Sequence, residues 1–236
     1  MKDISYPVVV MDRAEGLQHT VARVNMYVDL PHHFRGTHMS RFIEILNKYR
    51  EGISTRNVGE VLDDMKSMLN AQTSHFMMEF PFFMNKKAPV SGEEAKMEYT
   101  CTLLGDSSVD YYTLQVRVPL LSLCPCSKEI SSYGAHNQRS MVTVSIRARE
   151  IIWIEDIIEI VESCGSSEIY ALLKREDEKY ITEKSYENPV FVEDIVRNVA
   201  EKLLTHERVL WFSVESENME SIHNHSAYAQ IEIDKI

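Results

Sequence analysis

Residues 97–121, MEYTCTLLGDSSVDYYTLQVRVPLL, hold the turn on which the fold reading depends. Met97 to Leu104 is strand-like, Gly105-Asp106-Ser107-Ser108 is turn chemistry, and Val109 to Leu121 is strand-like again. The order of elements before this turn recurs after it. Upstream, residues 7–13 and 18–30 read as strands, the second with Val21, Val24, Met26, Val28 and Leu30 in partial alternation and Pro31 as its end. Residues 39–50 put Phe42, Ile45, Leu46 and Tyr49 on one helical face, and residues 57–71 repeat that spacing. His75 to Met84 and Met97 to Leu104 follow as strands around a polar loop, NKKAPVSGEEA.

Downstream, Val109 to Leu121 and Met141 to Arg149 are strands, Trp153 to Val161 and Val192 to Leu204 are helices, and Glu207 to Ser216 and Ala227 to Ile233 are strands. Each half therefore reads ββααββ, without a residue-level repeat. The expectation is an α+β chain of two tandem units, 1–106 and 107–236, each a four-stranded antiparallel sheet backed by helices. Open sheets of that size leave edges, which oligomerisation into a barrel would cover. The stretch from Cys164 to Pro189, including KREDEKYITEKSYENP, lacks apolar periodicity and is expected to be a long polar loop.

The chain has 236 residues, 44% hydrophobic and 26% charged, an ordinary globular balance. No apolar run approaches the roughly 20 residues of a membrane span. The N-terminal MKDISYPVVVMDRAEG lacks a secretory pattern, so cytoplasm is the expected compartment. A net charge of −11 disfavours nucleic acid and anionic membrane as partners, and an anionic substrate would need local cations or a metal. Of the four cysteines, Cys101 and Cys164 read as buried bystanders, and disulfides are disfavoured in such a chain.

Chemistry concentrates in SLCPCSKEISSYGAHNQRS, residues 122–140, between two strands. Pro125 ends the ladder and leaves Cys124 where extended backbone becomes loop. A C-x-C pair alone can equally be two half-buried thiols. With His136 in the same connection, a metal or thiol site is favoured. The spacings of a four-ligand structural zinc site are missing, so the pattern suits an open site of three ligands plus water. His223 and His225 in SIHNHSAYA are further donor candidates, although exposed loop histidines would read the same way. In LPHHFRGTHMSRF, Gly36, Thr37 and Ser40 beside Arg35, His38 and Arg41 suit either an anion at a helix start or an ordinary cap by Thr37 or Ser40.

Four blocks, LPHHFRGTHMSRFIEIL, SLCPCSKEISSYGAHNQRS, DEKYITEKSYENPVFVEDIVR and ESIHNHSAYA, together resemble the type IB GTP cyclohydrolases from about Tyr6 to the C-terminus. The resemblance implies a tunnelling fold, a homotetramer with intersubunit active sites, and one divalent metal per site: zinc, manganese or iron(II). It implies conversion of GTP and water to 7,8-dihydroneopterin triphosphate and formate, the entry to folate biosynthesis. Carried over by position, Cys124, Glu178 and His223 match the metal ligands. His136 matches the histidine beside the metal, acting through its water as proton carrier, and Glu193 matches the carboxylate that anchors the purine. Lys128, Arg139 and Arg41 are the expected triphosphate contacts. The rival within the same fold is a reductase of the 7-cyano-7-deazaguanine type, with Cys124 as a covalent nucleophile and a nicotinamide cofactor. A rival of another class is a metal-stabilised binding module.

Overall fold

A computed structural model describes residues 1–30, 32, 36–53, 57–109 and 111–235. In chain order the elements are β1 (Ile4–Asp12), β2 (Gly16–Val28), α1 (Met39–Lys48), α2 (Val58–Leu69), β3 (Ser74–Lys87), β4 (Glu94–Asp106) and β5 (Thr113–Leu123). There follow α3 (Pro125–Ile130), β6 (Asn137–Ala148), α4 (Ile154–Glu162), β7 (Ser167–Glu168), α5 (Arg175–Glu187), α6 (Val192–Thr205), β8 (Val209–Asn218) and β9 (Ala227–Asp234).

The strands form one sheet in the order β1-β2-β3-β4-β5-β6-β8-β9, with β7 added to β5. The sheet is antiparallel in β1–β2, β2–β3, β5–β7 and β8–β9. Local chemistry sets the register. In the first hairpin the Asp12 carboxylate accepts from the N–H groups of Ala14 and Glu15, and Gly16 turns the chain at φ +82°. The second hairpin closes at residues 88–93, where Ala88 N donates to Glu93 O at 2.8 Å and Gly92 takes a positive φ.

Contacts sort the chain into two compact units: residues 1–82 with 100–115 and 147–153, and residues 83–99 with 116–146 and 154–236. In the first, α1 buries Phe42, Ile45 and Leu46, and α2 buries Val58, Val61, Leu62, Met65 and Leu69. Asp64 joins these helices by accepting from Lys48 at 2.5 Å and from the Tyr49 hydroxyl at 2.7 Å. In the second, α4 and α6 bury Ile157, Ile158, Val161, Ile195, Val196, Val199 and Leu203, and α6 packs on β8 and β9. Full burial of such a side chain stabilises the fold by about 1.5–3 kcal/mol.

The sequence reading needs four corrections. First, the strands of both halves lie in one sheet, because β4 and β5 are hydrogen-bonded neighbours across the turn after Asp106; pairing them removes two exposed edges. Second, the polar loop read at 85–95 shortens to 88–93, since β3 and β4 extend as a long hairpin. Third, the expected loop from Cys164 to Pro189 contains α5. That helix escapes periodicity because it is polar on nearly every side; it is held by the buried Asp177 and by the Lys179–Glu183 pair at 3.0 Å. Fourth, α1 begins after His38 with no side-chain cap, so neither Thr37 nor Ser40 has the capping role. Pro31 and Arg35 lie outside the described residues.

One close approach gives a stability test. A Cβ at Gly165 would sit 3.0 Å from Leu120 Cδ1 and 3.2 Å from the Leu121 carbonyl oxygen, whereas one at Gly59 in α2 meets nothing within 4 Å. Gly165→Ala is expected to destabilise the protein by about 1–3 kcal/mol, and Gly59→Ala to stabilise it by up to about 1 kcal/mol. Thermal denaturation of the two variants should show shifts of opposite sign.

Candidate active site

Cys124 follows the last residue of β5 and is the N-cap of α3, with Pro125 in the first helical position. Its sulfur accepts from the Ser127 N–H at 3.4 Å, and its carbonyl accepts from the Lys128 N–H at 3.2 Å. The Cys124 N–H donates to His136 O at 3.1 Å, so the two ends of the connection meet. Ser127 locks them together: its hydroxyl donates to Cys124 O at 3.1 Å and accepts from His136 N at 3.2 Å. The thiol and the imidazole are thus carried on one hydrogen-bonded loop whose ends lie on neighbouring strands.

A third segment docks onto this loop. Met219, just past β8, donates to Arg139 O at 3.0 Å, which extends the ladder between β6 and β8. Ser221 Oγ lies 3.3 Å and Gln138 Oε1 3.1 Å from His136 Nδ1, while Gln138 Nε2 donates to Glu220 Oε1 at 3.2 Å. His223 and His225 follow on the same loop, exposed, with ring centroids 5.4 Å apart and planes 24° apart.

The start of α6 reaches the same end of the sheet. Val190 N donates to Leu123 O at 3.2 Å, and Ser122 Oγ donates to Val190 O at 3.1 Å. Asp194 then caps the helix by accepting from Phe191 N at 3.1 Å. Glu193 stands exposed in that first turn.

The structure therefore gathers Cys124, His136, the His223 loop and the start of α6. Lys128 Nζ donates to Tyr186 O and sits 4.5 Å from the centre of the Tyr186 ring, which fixes the last turn of α5 beside α3. Glu178 is exposed in the first turn of that helix, about 12 Å away along its axis. Among the described residues no three His, Cys, Asp or Glu side chains of one chain form a metal-sized cluster. Arg41 lies in the other compact unit, where its guanidinium donates to Met68 O.

Arg139 lines a cleft of about 680 Å³ with Leu121, Gln138, Glu168, Tyr170 and Ile181. Polar groups pack tightly around it. Burial raises the pKa of the Tyr170 hydroxyl, and the Glu168 and Glu162 carboxylates push it the same way. Burial also works to raise that of Glu168, but hydrogen bonds from Lys184 and its own backbone outweigh it and hold it below the usual range. Glu162 accepts from Lys86 and from the Tyr99 hydroxyl, and Lys86 lies 4.5 Å from the centre of the Tyr170 ring. Burial lowers the pKa of Lys86, with Glu162 opposing.

Gln138, Glu220 and Ser221 are site residues that the sequence reading passed over. The signal for Gln138 was present, since it lies two positions beyond His136 and so on the same side of an extended chain. Glu220 and Ser221 carried none.

Urate oxidase from Bacillus sp. TB-90 superposes with a TM-score of 0.57, covering 99% of this chain and 98% of its own at 11% identity. Uricase from Arthrobacter globiformis gives 0.56, covering 99% and 92% at 9% identity. The chain is thus an α+β protein of the tunnelling fold. A family model described as type I GTP cyclohydrolase folE2 matches residues 1–229. The protein named GTP cyclohydrolase FolE2 in Geotalea uraniireducens is 63% identical over all of this chain and 87% of its own length. The one of the same name in Geobacter sulfurreducens is 60% identical over all of this chain and 92% of its own. The chain belongs to the type I GTP cyclohydrolase folE2 family.

Asp177 gives a pH test of the α5 anchor. It is fully buried, and its carboxylate accepts from the N–H groups of Val90, Ser91 and Lys174 and from the Ser91 hydroxyl. Burial opposes ionisation, but these four donors prevail and hold the group well below the usual carboxylate range. A depressed folded-state pKa contributes stability above the unfolded value near 4, lost as pH falls through the folded value. Asp177→Asn should therefore melt several degrees below the parent at neutral pH. The gap should narrow as thermal melts are taken below about pH 4.

Proposed function

We propose that the chain is a metal-dependent GTP cyclohydrolase I, converting GTP and water to 7,8-dihydroneopterin triphosphate and formate at the entry to folate biosynthesis in the cytoplasm. The observation that carries this reading is the hydrogen-bonded loop joining Cys124 to His136 beside the first turn of α6. In a chain of this family, a thiol, an imidazole and an exposed carboxylate near one end of the sheet support the reading.

Cys124, Glu178 and His223 are the proposed metal ligands. Their thiolate, carboxylate and imidazole form a mixed donor set that suits zinc, manganese or iron(II). Because these donors do not converge within one chain, a second copy completes the set in this proposal. The resulting assembly is a homotetramer with sites shared by subunits. The metal, when bound, supplies an activated water at neutral pH.

The remaining work falls to the side chains. Glu193, at a helix start and open to solvent, accepts two hydrogen bonds from the N–H edge of guanine, which fixes the ring. His136 moves protons to and from the imidazole nitrogens of the base, a task suited to an imidazole ring, which can both accept and donate a proton. Arg139, in the cleft, and Lys128 take the triphosphate, each cation offsetting part of the chain's net charge of −11.

Incubation with GTP, with and without chelator, tests the reading directly. Formate and a pterin should appear only with metal, without nicotinamide cofactor, while the chelated protein keeps its circular dichroism. Absence of metal-dependent formate release would sink the proposal. A nitrile reductase would work without metal, and a structural-metal module would unfold on chelation. A paired mutation separates the two cysteines. Cys124→Ala should lose both bound metal and turnover, whereas Cys126→Ala, altering an exposed thiol, should retain metal by elemental analysis; equal loss in both would refute Cys124 as the specific ligand.

A further inference from the structure

Gln138 is only 7% exposed, and its carboxamide lies between a carboxylate and an imidazole. A carboxylate offers only acceptors, so the Gln138 atom 3.2 Å from Glu220 is its amide nitrogen. The atom facing His136 Nδ1 at 3.1 Å is then the carbonyl oxygen. A carbonyl oxygen also only accepts, so Nδ1 must carry a proton. Ser221 Oγ, 3.3 Å from the same nitrogen, acts as a second acceptor for that N–H. A neutral imidazole has one ring proton; with it held at Nδ1, the lone pair is at Nε2. An unconstrained histidine side chain in water favours the opposite tautomer.

We propose that Gln138 and Glu220 are positioning residues that fix His136 as the Nδ1–H tautomer and present its lone pair at Nε2. Protonation at Nε2 leaves the bond to Gln138 intact, because Nδ1 donates in both charge states. The ring can therefore cycle without turning. The arrangement is also economical in space: Glu220 and Ser221 belong to the segment that bears His223, so the bonds that orient one histidine dock the loop of the other. The tautomer follows from the hydrogen bonds alone; its use at Nε2 rests on the proton-carrier role given to His136 under the proposed function.

The test is solid-state 15N NMR of full-length, metal-free protein labelled at histidine, with His136 assigned by difference from His136→Gln. The parent should show the neutral His136 ring as Nδ1–H. Gln138→Leu should populate Nε2–H and lower kcat for formate release by about 10–100-fold, with a much smaller change in KM. Gln138→Glu still presents an acceptor oxygen to Nδ1, so it should keep the Nδ1–H form and recover part of that kcat. Glu220→Gln lets the Gln138 amide turn over and should give a mixture of tautomers; it carries the test if Gln138→Leu does not fold. An Nε2–H ring in the parent, or an unchanged tautomer in both Gln138→Leu and Glu220→Gln, would overturn the assignment. An Nδ1–H ring in a parent that releases no formate from GTP would support the assignment and refute the functional reading.

Discussion

The last residues of β5 hold the second unit together. Leu120 and Leu121 pair with Glu168 and Ser167 of β7, and Leu121 O also accepts from Ser166 N at 2.9 Å. Leu123 donates to Ser166 Oγ and accepts from Val190 N, and Cys124 donates to His136 O. Three segments, residues 166–168, Val190 and His136, thus converge on main-chain groups of one strand end. Backbone hydrogen bonds leave little positional freedom, because a buried N–H or C=O without a partner costs about 1–3 kcal/mol. Gly165 belongs to the same constraint, since its missing side chain lets the 165–168 segment lie against Leu120 and Leu121.

This convergence explains which parts were legible from sequence. α1, α2, α4 and α6 announce themselves because each buries a stripe of aliphatic residues, and a stripe is a one-dimensional signal. α5 buries chiefly Asp177 and Ser185, and a helix fixed by a carboxylate has no hydropathy period to find. The site divides in the same way. Cys124 and His136 stand out because they crowd one short connection. Glu178 and Glu193 are two of thirty-six acidic residues, and only the likeness to a known family singles them out. Glu220 acts through a bond to a residue 82 positions away, a relation that no local pattern encodes.

Three lysines of the second unit already serve contacts within the fold. Lys184 is paired with Glu168 at 2.6 Å, Lys86 with the buried Glu162, and Lys128 with the Tyr186 carbonyl. Much of the local positive charge thus already serves internal contacts. An anionic ligand entering beside Arg139 must compete with those pairs or gain its cations elsewhere. That is consistent with a site in which a metal ion and a second copy share the electrostatic work.

The order of strands in the sheet has a consequence for biosynthesis of the chain. Apart from β7, each strand lies next to its predecessor, so the sheet can lengthen in step with translation, every new strand finding an edge already in place. The polar constellation has no such luxury. His136 leaves the ribosome long before Glu220 and Ser221, and its loop waits for a segment 85 residues further on before its hydrogen bonds close. A nascent chain stalled ahead of Glu220 would display most of the strands with these hydrogen bonds still unmade.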